Sequence, residues 1–490
     1  MKHKITSGQS VQTYLFVIPF LIVILFYAWL ASSGSGENIG VTTYYYSYLA
    51  EAFLDGNLYL AWQPNPRLLA IDNPYDPLAR RELDKLSIIT PVDFSLYDGK
   101  FYLYWGPVPA LILAAIQFFA HQPPMGDFIF AFAFGVGLFL AQSMLILRVW
   151  DSYFQTLPKW MLQLTIFVAG LTWPVSLLRS EYDHARIYQA AIAGGQFFLI
   201  SGLLMAFSAI SRPTASNWRL VSASLLWVLA IGSRHLLVGP IFFMTLMTAF
   251  WIIGTNAGFV AKTINFISLG MPLALGGVGL GWYNWARFGS ITETGFSYAL
   301  AGVNLQKHST ELFSGLNIIQ NLYNYFFSAP GFISMFPFLS MIQRSKNIVL
   351  PFYTSPKFYY AEAMTGLLFL FPFAVFAIVP LIGLLSDLFK GNSETYSAEG
   401  SGYRLMTWVS LSLSGSFFTA FLLILFFFWA GMRYLGDILP LLTILSAIGF
   451  WQGYRFPAHR PLTKKLYIIS GIILASVSIV ISTLLAISTI

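Results

Sequence analysis

The chain contains no cysteine, which excludes disulfides, thiolate catalysis and cysteine-ligated zinc or iron–sulfur centres. Charge is scarce: Asp, Glu, Lys and Arg make up 10% of its 490 residues, where a soluble domain carries about a quarter. No Gly-rich phosphate loop of the Walker type is present, which argues against ATP-driven work. No serine occupies a nucleophile elbow, so a Ser/His/Asp triad has no support. The six histidines are scattered without metal-ligand spacing. Internal repeats, low-complexity tracts, a soluble domain and the inverted-repeat signature of many secondary transporters are all missing.

What remains is apolar. Hydrophobic residues account for 57% of the chain and the mean hydropathy is +0.68. Such a chain cannot maintain a water-facing surface, so lipid is its solvent. The net charge of +7 does not call for a nucleic-acid partner, because membrane proteins gather Lys and Arg in cytoplasmic loops.

Apolar runs of spanning length fall near 12–31, 127–148, 160–178, 187–210, 218–233, 239–254, 264–284, 364–387, 406–429, 434–452 and 466–488. The expected fold is an all-α polytopic bundle of about eleven transmembrane helices forming one domain over 1–490. Val11–Leu30 lacks a small-residue cleavage site after it and reads as a retained first helix. The run 107–120 is short and opens with Pro107 and Pro109. Kept on the outer side, it leaves Lys2, Lys4, Arg148, Lys159, Arg212, Arg219, Lys262, Lys390 and Arg404 in cytoplasmic segments, together with the basic tract Arg455–Lys465. The positive-inside rule prefers that arrangement. It places the protein in a cytoplasmic membrane with its N-terminus inside, and makes 32–126 and 285–363 two large extracytoplasmic segments. Both contain stretches suited to interface helices, such as the one that begins at Tyr44–Tyr46 and stops at Gly56.

The first outer segment holds Glu37, Asp76, Asp93 and Asp98, and its densest part is Asp93–Pro107. Tyr102 and Tyr104 alternate there as on an extended segment with one aromatic face. Aromatic faces with carboxylates suit a sugar; an interfacial aromatic belt uses the same residues. The short stretch Arg179-Ser-Glu181-Tyr-Asp183-His184-Ala-Arg186 is unusually polar between two spans. It reads either as a solvated loop or as a shared electrostatic site. Arg234 with His235, and Arg433 with Tyr434 and Asp437, stand at helix ends on that same side. Arg433 and Asp437 are four residues apart and could pair along a helix. The arginines could instead present their planar forks to the phosphate of a lipid headgroup. Oxygen ligands in the first segment leave room for a divalent cation, Mg²⁺ or Mn²⁺.

These residues carry a resemblance. Tyr45-Tyr46-Ser47-Tyr48-Leu49-Ala50 leading to Gly56, Asn73-Pro74-Tyr75-Asp76-Pro77, and the run from Asp93 through Tyr102, Tyr104, Trp105 and Gly106 to Pro109 resemble the GT-C superfamily of polytopic glycosyltransferases. More narrowly they resemble a bacterial branch of it, related in plan to the dolichyl- or polyprenyl-phosphate mannosyltransferases and aminoarabinose transferases. Tyr283–Gly289 and Arg433, Tyr434, Asp437 and Pro440 are weaker matches.

The resemblance implies transfer of a sugar from a polyprenyl-phosphate donor to a lipid, glycan or protein acceptor at the outer face, with inversion. It implies a base or metal ligand at Asp93 or Glu37, with Asp76, Asp98 and Glu181 in support. Lipid phosphate would fall to Arg433, Arg234 and Arg179, and the sugar or acceptor to Tyr102, Tyr104, His184 and Tyr434. The chain departs from the family pattern at one point. The acid that usually directly precedes the first interface helix is replaced by Thr42 and Thr43, with Glu37 the nearest carboxylate. Two other classes stay open: a lipid or glycan transporter or flippase, which would place ionisable groups mid-span, and a lipid-binding relative that has lost its base, which the missing acid keeps in view.

Overall fold

A computed structural model describes residues 7–32, 43–85, 91–172, 178, 186–212, 215–342, 353, 356–390, 400–455 and 460–488. The molecule is built from helices: α1 (Ser7–Ala31), α2 (Tyr45–Leu54), α3 (Pro77–Lys85), α4 (Val108–Ala120), α5 (Asp127–Tyr153), α6 (Lys159–Leu171), α7 (Ile187–Ile210), α8 (Asn217–Ser233), α9 (Val238–Ile253), α10 (Phe259–Phe288), α11 (Asn317–Phe327), α12 (Ile378–Lys390), α13 (Gly400–Phe426), α14 (Leu439–Arg455) and α15 (Pro461–Ile487). Between them lie an antiparallel hairpin, β1 (Ser95–Tyr97) with β2 (Lys100–Tyr102), and a parallel pair, β3 (Tyr360–Ala361) with β4 (Trp429–Ala430).

Six helices among the described residues are long and apolar enough to cross a membrane, and five shorter apolar helices accompany them. The expected eleven or so are not all reached: α6, α8 and α14 are uninterrupted but 13, 17 and 17 residues long. The run expected over 364–387 is broken at Phe371-Pro372, where a 3-10 segment, Pro372–Ala377, leads into α12. Proline supplies no N–H to an α-helical ladder and favours the start of a new turn.

The bundle is graded from centre to rim. Almost all of α7 is enclosed by neighbouring helices, whereas only 11% of the most apolar stretch of α10 is buried, as suits an apolar helix facing lipid. Small residues make α7 central. A Cβ on Gly195 would sit 2.7 Å from Arg234 Cβ, and one on Gly202 would sit 2.5 Å from the Trp227 indole, so α8 lies close against it.

Helix ends gather at one end of this bundle, and the connecting segments fold over them. The turn Asp98-Gly99 has positive φ at both residues, 47° and 68°, the geometry of the two-residue hairpin turn that suits twisted strands. Above the hairpin the two large loops are tied together. Asp93 N–H donates to Leu300 O (3.3 Å) and Leu300 N–H donates to Phe94 O (2.8 Å). Ser95 Oγ donates to Gly295 O (2.8 Å) and Arg287 Nη1 to Leu103 O (2.7 Å).

Two polar anchors bind helices at this end. Asp127, fully buried at the first position of α5, accepts the Tyr45 N–H (3.0 Å) and Tyr46 N–H (3.1 Å) that open α2, and the Thr43 hydroxyl (2.5 Å). It thus supplies from another helix the cap that α2 lacks locally. The Thr43 hydroxyl oxygen in turn accepts the Ile187 N–H that opens α7 (3.0 Å).

The second anchor is the pair Arg234–Asp437. Asp437 is fully buried, and its carboxylate is gripped by Arg234 Nε (3.1 Å) and Nη2 (2.6 Å) from the end of α8. This replaces the expected Arg433–Asp437 pairing. The helix carrying Arg433 is only four residues long, Met432–Leu435, so Asp437 lies beyond its end and meets Arg234 instead.

Breaking a buried pair strands a charge, at a cost of about 3–5 kcal/mol. Asp437→Ala is therefore expected to lower thermal stability in detergent by about that much, and Arg234→Met in the same chain to restore most of the loss. Gly106 packs against the backbone of α8, and a Cβ there would overlap the Gly232 carbonyl. Gly106→Ala is expected to destabilise by about 3 kcal/mol, the upper end of overpacking costs, read as a drop in the thermal midpoint.

Candidate active site

A cavity of about 1140 Å³ opens where the loops cover the helix ends, larger than most small-molecule sites. Its lining has two characters. The polar part includes Asp93, Arg186, Arg234, His235, Glu362 and Arg433. The apolar part comes from helix ends: Val238 of α9, Leu423 and Ile424 of α13, Leu485 and Ala486 of α15, with Leu370 before the Pro372 break.

Asp93 is set at the entrance to the hairpin with φ +66°, a backbone region that Asp tolerates better than most side chains. Its bond to Leu300 holds it there. The carboxylate accepts hydrogen bonds from two phenols, Tyr104 through Oδ1 (3.2 Å) and Tyr188 through Oδ2. Among the described residues no Lys, Arg or His lies within ion-pairing distance of it. Burial pushes the Tyr104 phenol well above its ordinary range and the Asp93 charge pushes it further. Tyr104 therefore stays a proton donor to the carboxylate. Burial, then the charge of Asp93, likewise raises Tyr45 on the cavity wall to about 12. A half-buried carboxylate held by neutral donors and spared a cationic partner is free to accept a proton.

The arginines stand beside it. The Arg433 guanidinium lies over the Tyr188 ring (4.7 Å) and the Tyr434 ring (5.0 Å), and pairs with Glu362 Oε1 at 2.5 Å. Arg234 lies over the far side of this cluster, 5.8 Å from the Tyr434 ring, with the fork that would clamp a phosphate committed to Asp437. Trp105 closes the group edge-on to Tyr188 (5.1 Å), and Tyr104 packs on Trp105 (4.6 Å).

The expected site residues divide accordingly. Asp93, Tyr104, Arg234, Arg433 and Tyr434 converge on the cavity. Tyr102 does not: β2 ends at that residue, and its ring packs on Phe288 (5.2 Å) and Tyr59 (6.4 Å). Asp76 caps α3 by accepting Leu78 N–H (2.9 Å), and Asp98 is exposed in the hairpin turn, so neither lines the cavity. Glu37, Arg179, Glu181 and His184 lie outside the described residues.

Four residues of the site escaped the sequence reading. Tyr188 and Glu362 line the cavity, Trp429 donates to Glu362 (2.8 Å), and Asp127 supports Thr43 and Tyr45 from behind. Glu362 and Asp127 each stand at the edge of an apolar run, where an isolated acid is costly unless it has a task. That was the available signal.

The expected divalent cation finds no ready cage. Among the described residues no three His, Asp or Glu side chains converge as a ligand set, and Glu37, the other expected ligand, lies outside them.

No protein-family model and no curated protein matches the chain. Two solved structures match. One is the Archaeoglobus fulgidus oligosaccharyltransferase in the apo form, 13% identical with a TM-score of 0.42, over 96% of this chain and 55% of that one. The other is the same oligosaccharyltransferase in complex with Zn and sulfate, 12% identical with a TM-score of 0.43, over 95% of this chain and 53% of that one. The chain spans about half the length of that protein. Likeness at this distance identifies neither fold nor activity.

Proposed function

We propose that the protein is a membrane glycosyltransferase moving a sugar from a polyprenyl-phosphate donor to an acceptor hydroxyl at the outer face of a cytoplasmic membrane, with inversion. The observation that carries this reading is the pairing, in one cavity, of a carboxylate held by two phenols with an arginine on aromatic rings and an apolar lining from three helix ends. That combination matches an amphiphile with an anionic linkage. The apolar lining takes the isoprenoid, Arg433 takes the phosphate, and the rings of Tyr104, Trp105 and Tyr434 face the sugar or acceptor.

In the displacement, Asp93 removes the proton from the acceptor hydroxyl as its oxygen bonds to the anomeric carbon. The bond from that carbon to the phosphate oxygen breaks, and its electron pair leaves on the polyprenyl phosphate. Arg433 meets the charge that develops there. Arg234, neutralised by Asp437, fixes Tyr434 under Arg433. The acceptor, whether lipid, glycan or protein, enters from the side of the two loops.

The side of the membrane follows the distribution of Lys and Arg along the chain. The flippase alternative is disfavoured by where the charged lining originates. Asp93, Arg234, Glu362 and Arg433 all come from helix ends or connecting segments, not from the middle of a span.

Asp93→Asn keeps the size of the side chain, suits the same φ and removes the base. It is expected to lower turnover of polyprenyl-phosphate sugars by about 10²–10⁴-fold while leaving the thermal midpoint near that of wild type. Release of free polyprenyl phosphate by the purified protein in lipid is the readout. A folded wild type that releases none across a broad panel of donors refutes the reading.

A further inference from the structure

We infer that Glu362 is a built-in rival of the lipid phosphate for Arg433, and that its charge expels the spent carrier after transfer. The inference rests on the reading of the cavity as a polyprenyl-phosphate site.

The geometry starts from one carboxylate oxygen. Glu362 Oε1 pairs with Arg433 Nη1 at 2.5 Å and accepts Trp429 Nε1–H at 2.8 Å. The backbone holds the side chain in position. Glu362 N–H donates to Ala430 O (2.9 Å), extending the β3–β4 pairing. A Cβ on residue 431 would overlap Glu362 Oε2, so the glycine there makes room for the carboxylate. Glu362 and Arg433 both line the cavity, with side chains 20% and 22% exposed. An anion reaching Arg433 therefore arrives beside a fixed negative charge in a poorly solvated place, where like charges repel strongly.

That repulsion falls unequally on the two lipid species. The donor is a phosphodiester with one negative charge. When the sugar departs, the carrier becomes a phosphomonoester whose second ionisation lies near pH 6, so at neutral pH it carries about −1.5 to −2. Donor and product use the same arginine, and Glu362 penalises the product more. Arg433 can thus stabilise the leaving phosphate without retaining it, because the carboxylate re-pairs with the guanidinium as the monoester leaves.

The test is an equilibrium titration of the full-length protein in lipid nanodiscs with two probes, a short-chain isoprenyl monophosphate and its monomethyl diester. Glu362→Gln retains an oxygen for Trp429 Nε1–H and removes the charge. It is expected to tighten monoester binding about tenfold at pH 7.5 and diester binding about threefold or less. At pH 5, where the monoester is a monoanion, the two gains should converge. Trp429→Phe keeps the charge and removes the indole bond, and is expected to leave the monoester-to-diester ratio at its wild-type value. Glu362→Asp should restore most of the discrimination.

A folded Glu362→Gln protein with unchanged or weaker monoester binding would overturn the inference, making Glu362 a support for Arg433 alone. Equal tightening of both probes at pH 7.5 would overturn it as well. Wild type that binds neither probe would remove the polyprenyl-phosphate reading and the inference together, whereas wild type that binds both, without the split in the variant, removes the inference only.

Discussion

The Arg234–Asp437 pair is the interaction on which the functional end of this molecule depends. It joins the last turn of α8 to the segment entering α14, and its acid is completely shut off from solvent. A charge in such a place must be paired and hydrogen-bonded or it is not tolerated. From this pair a series of alternating charges and rings runs outward. Arg234 approaches Tyr434, Tyr434 and Tyr188 flank Arg433, and Tyr188 donates to Asp93. The candidate base and the anchored ion pair are thus the two ends of one connected polar network, set in an apolar bundle.

A second constraint is the mutual dependence of the two large loops. Asp93 sits in a left-handed conformation that costs free energy unless its surroundings impose it. Leu300 of the second loop does so, by accepting from Asp93 and donating to Phe94. The second loop gathers a small core of Ala299, Val303, Leu305, Leu312 and Phe358 with Phe428, and Tyr104 of the first loop packs against it. Asp127 adds the same logic one layer deeper, because its carboxylate orders the start of α2 and, through Thr43, the start of α7. Thr43 stands just before α2, and the carboxylate beside it arrives from α5.

The charge distribution in the cavity has a functional consequence. Arg234 and Arg433 each have an acid of their own, while among the described residues the carboxylate proposed as base is held by phenols. The apolar lining supplied by α9, α13 and α15 continues into the lipid-facing character of the bundle. On the proposed reading, an amphiphile enters with its chain in hydrocarbon and its headgroup in the network.

Much of the helical framework was legible because hydrophobic length is a local property: a run such as 187–210 is bounded by its own residues and forms α7 over that range. Likewise the stretch beginning near Tyr44 and stopping at Gly56 forms α2, with Gly56 at φ +75°. Asp93, Tyr104, Arg433 and Tyr434 could be singled out because ionisable and aromatic side chains are conspicuous in so apolar a chain. Only the tertiary structure decided how they are partnered. Arg433 took Glu362 instead of the nearby Asp437, Asp437 took Arg234, and Tyr188 came to Asp93 across 95 positions. Tyr102 turned away from the cavity although it stands two residues from Tyr104. The reason is physical. Composition and periodicity determine which segments leave water for lipid, but a buried charge is satisfied by whatever group the packing brings within 3 Å, and sequence distance has no bearing on that.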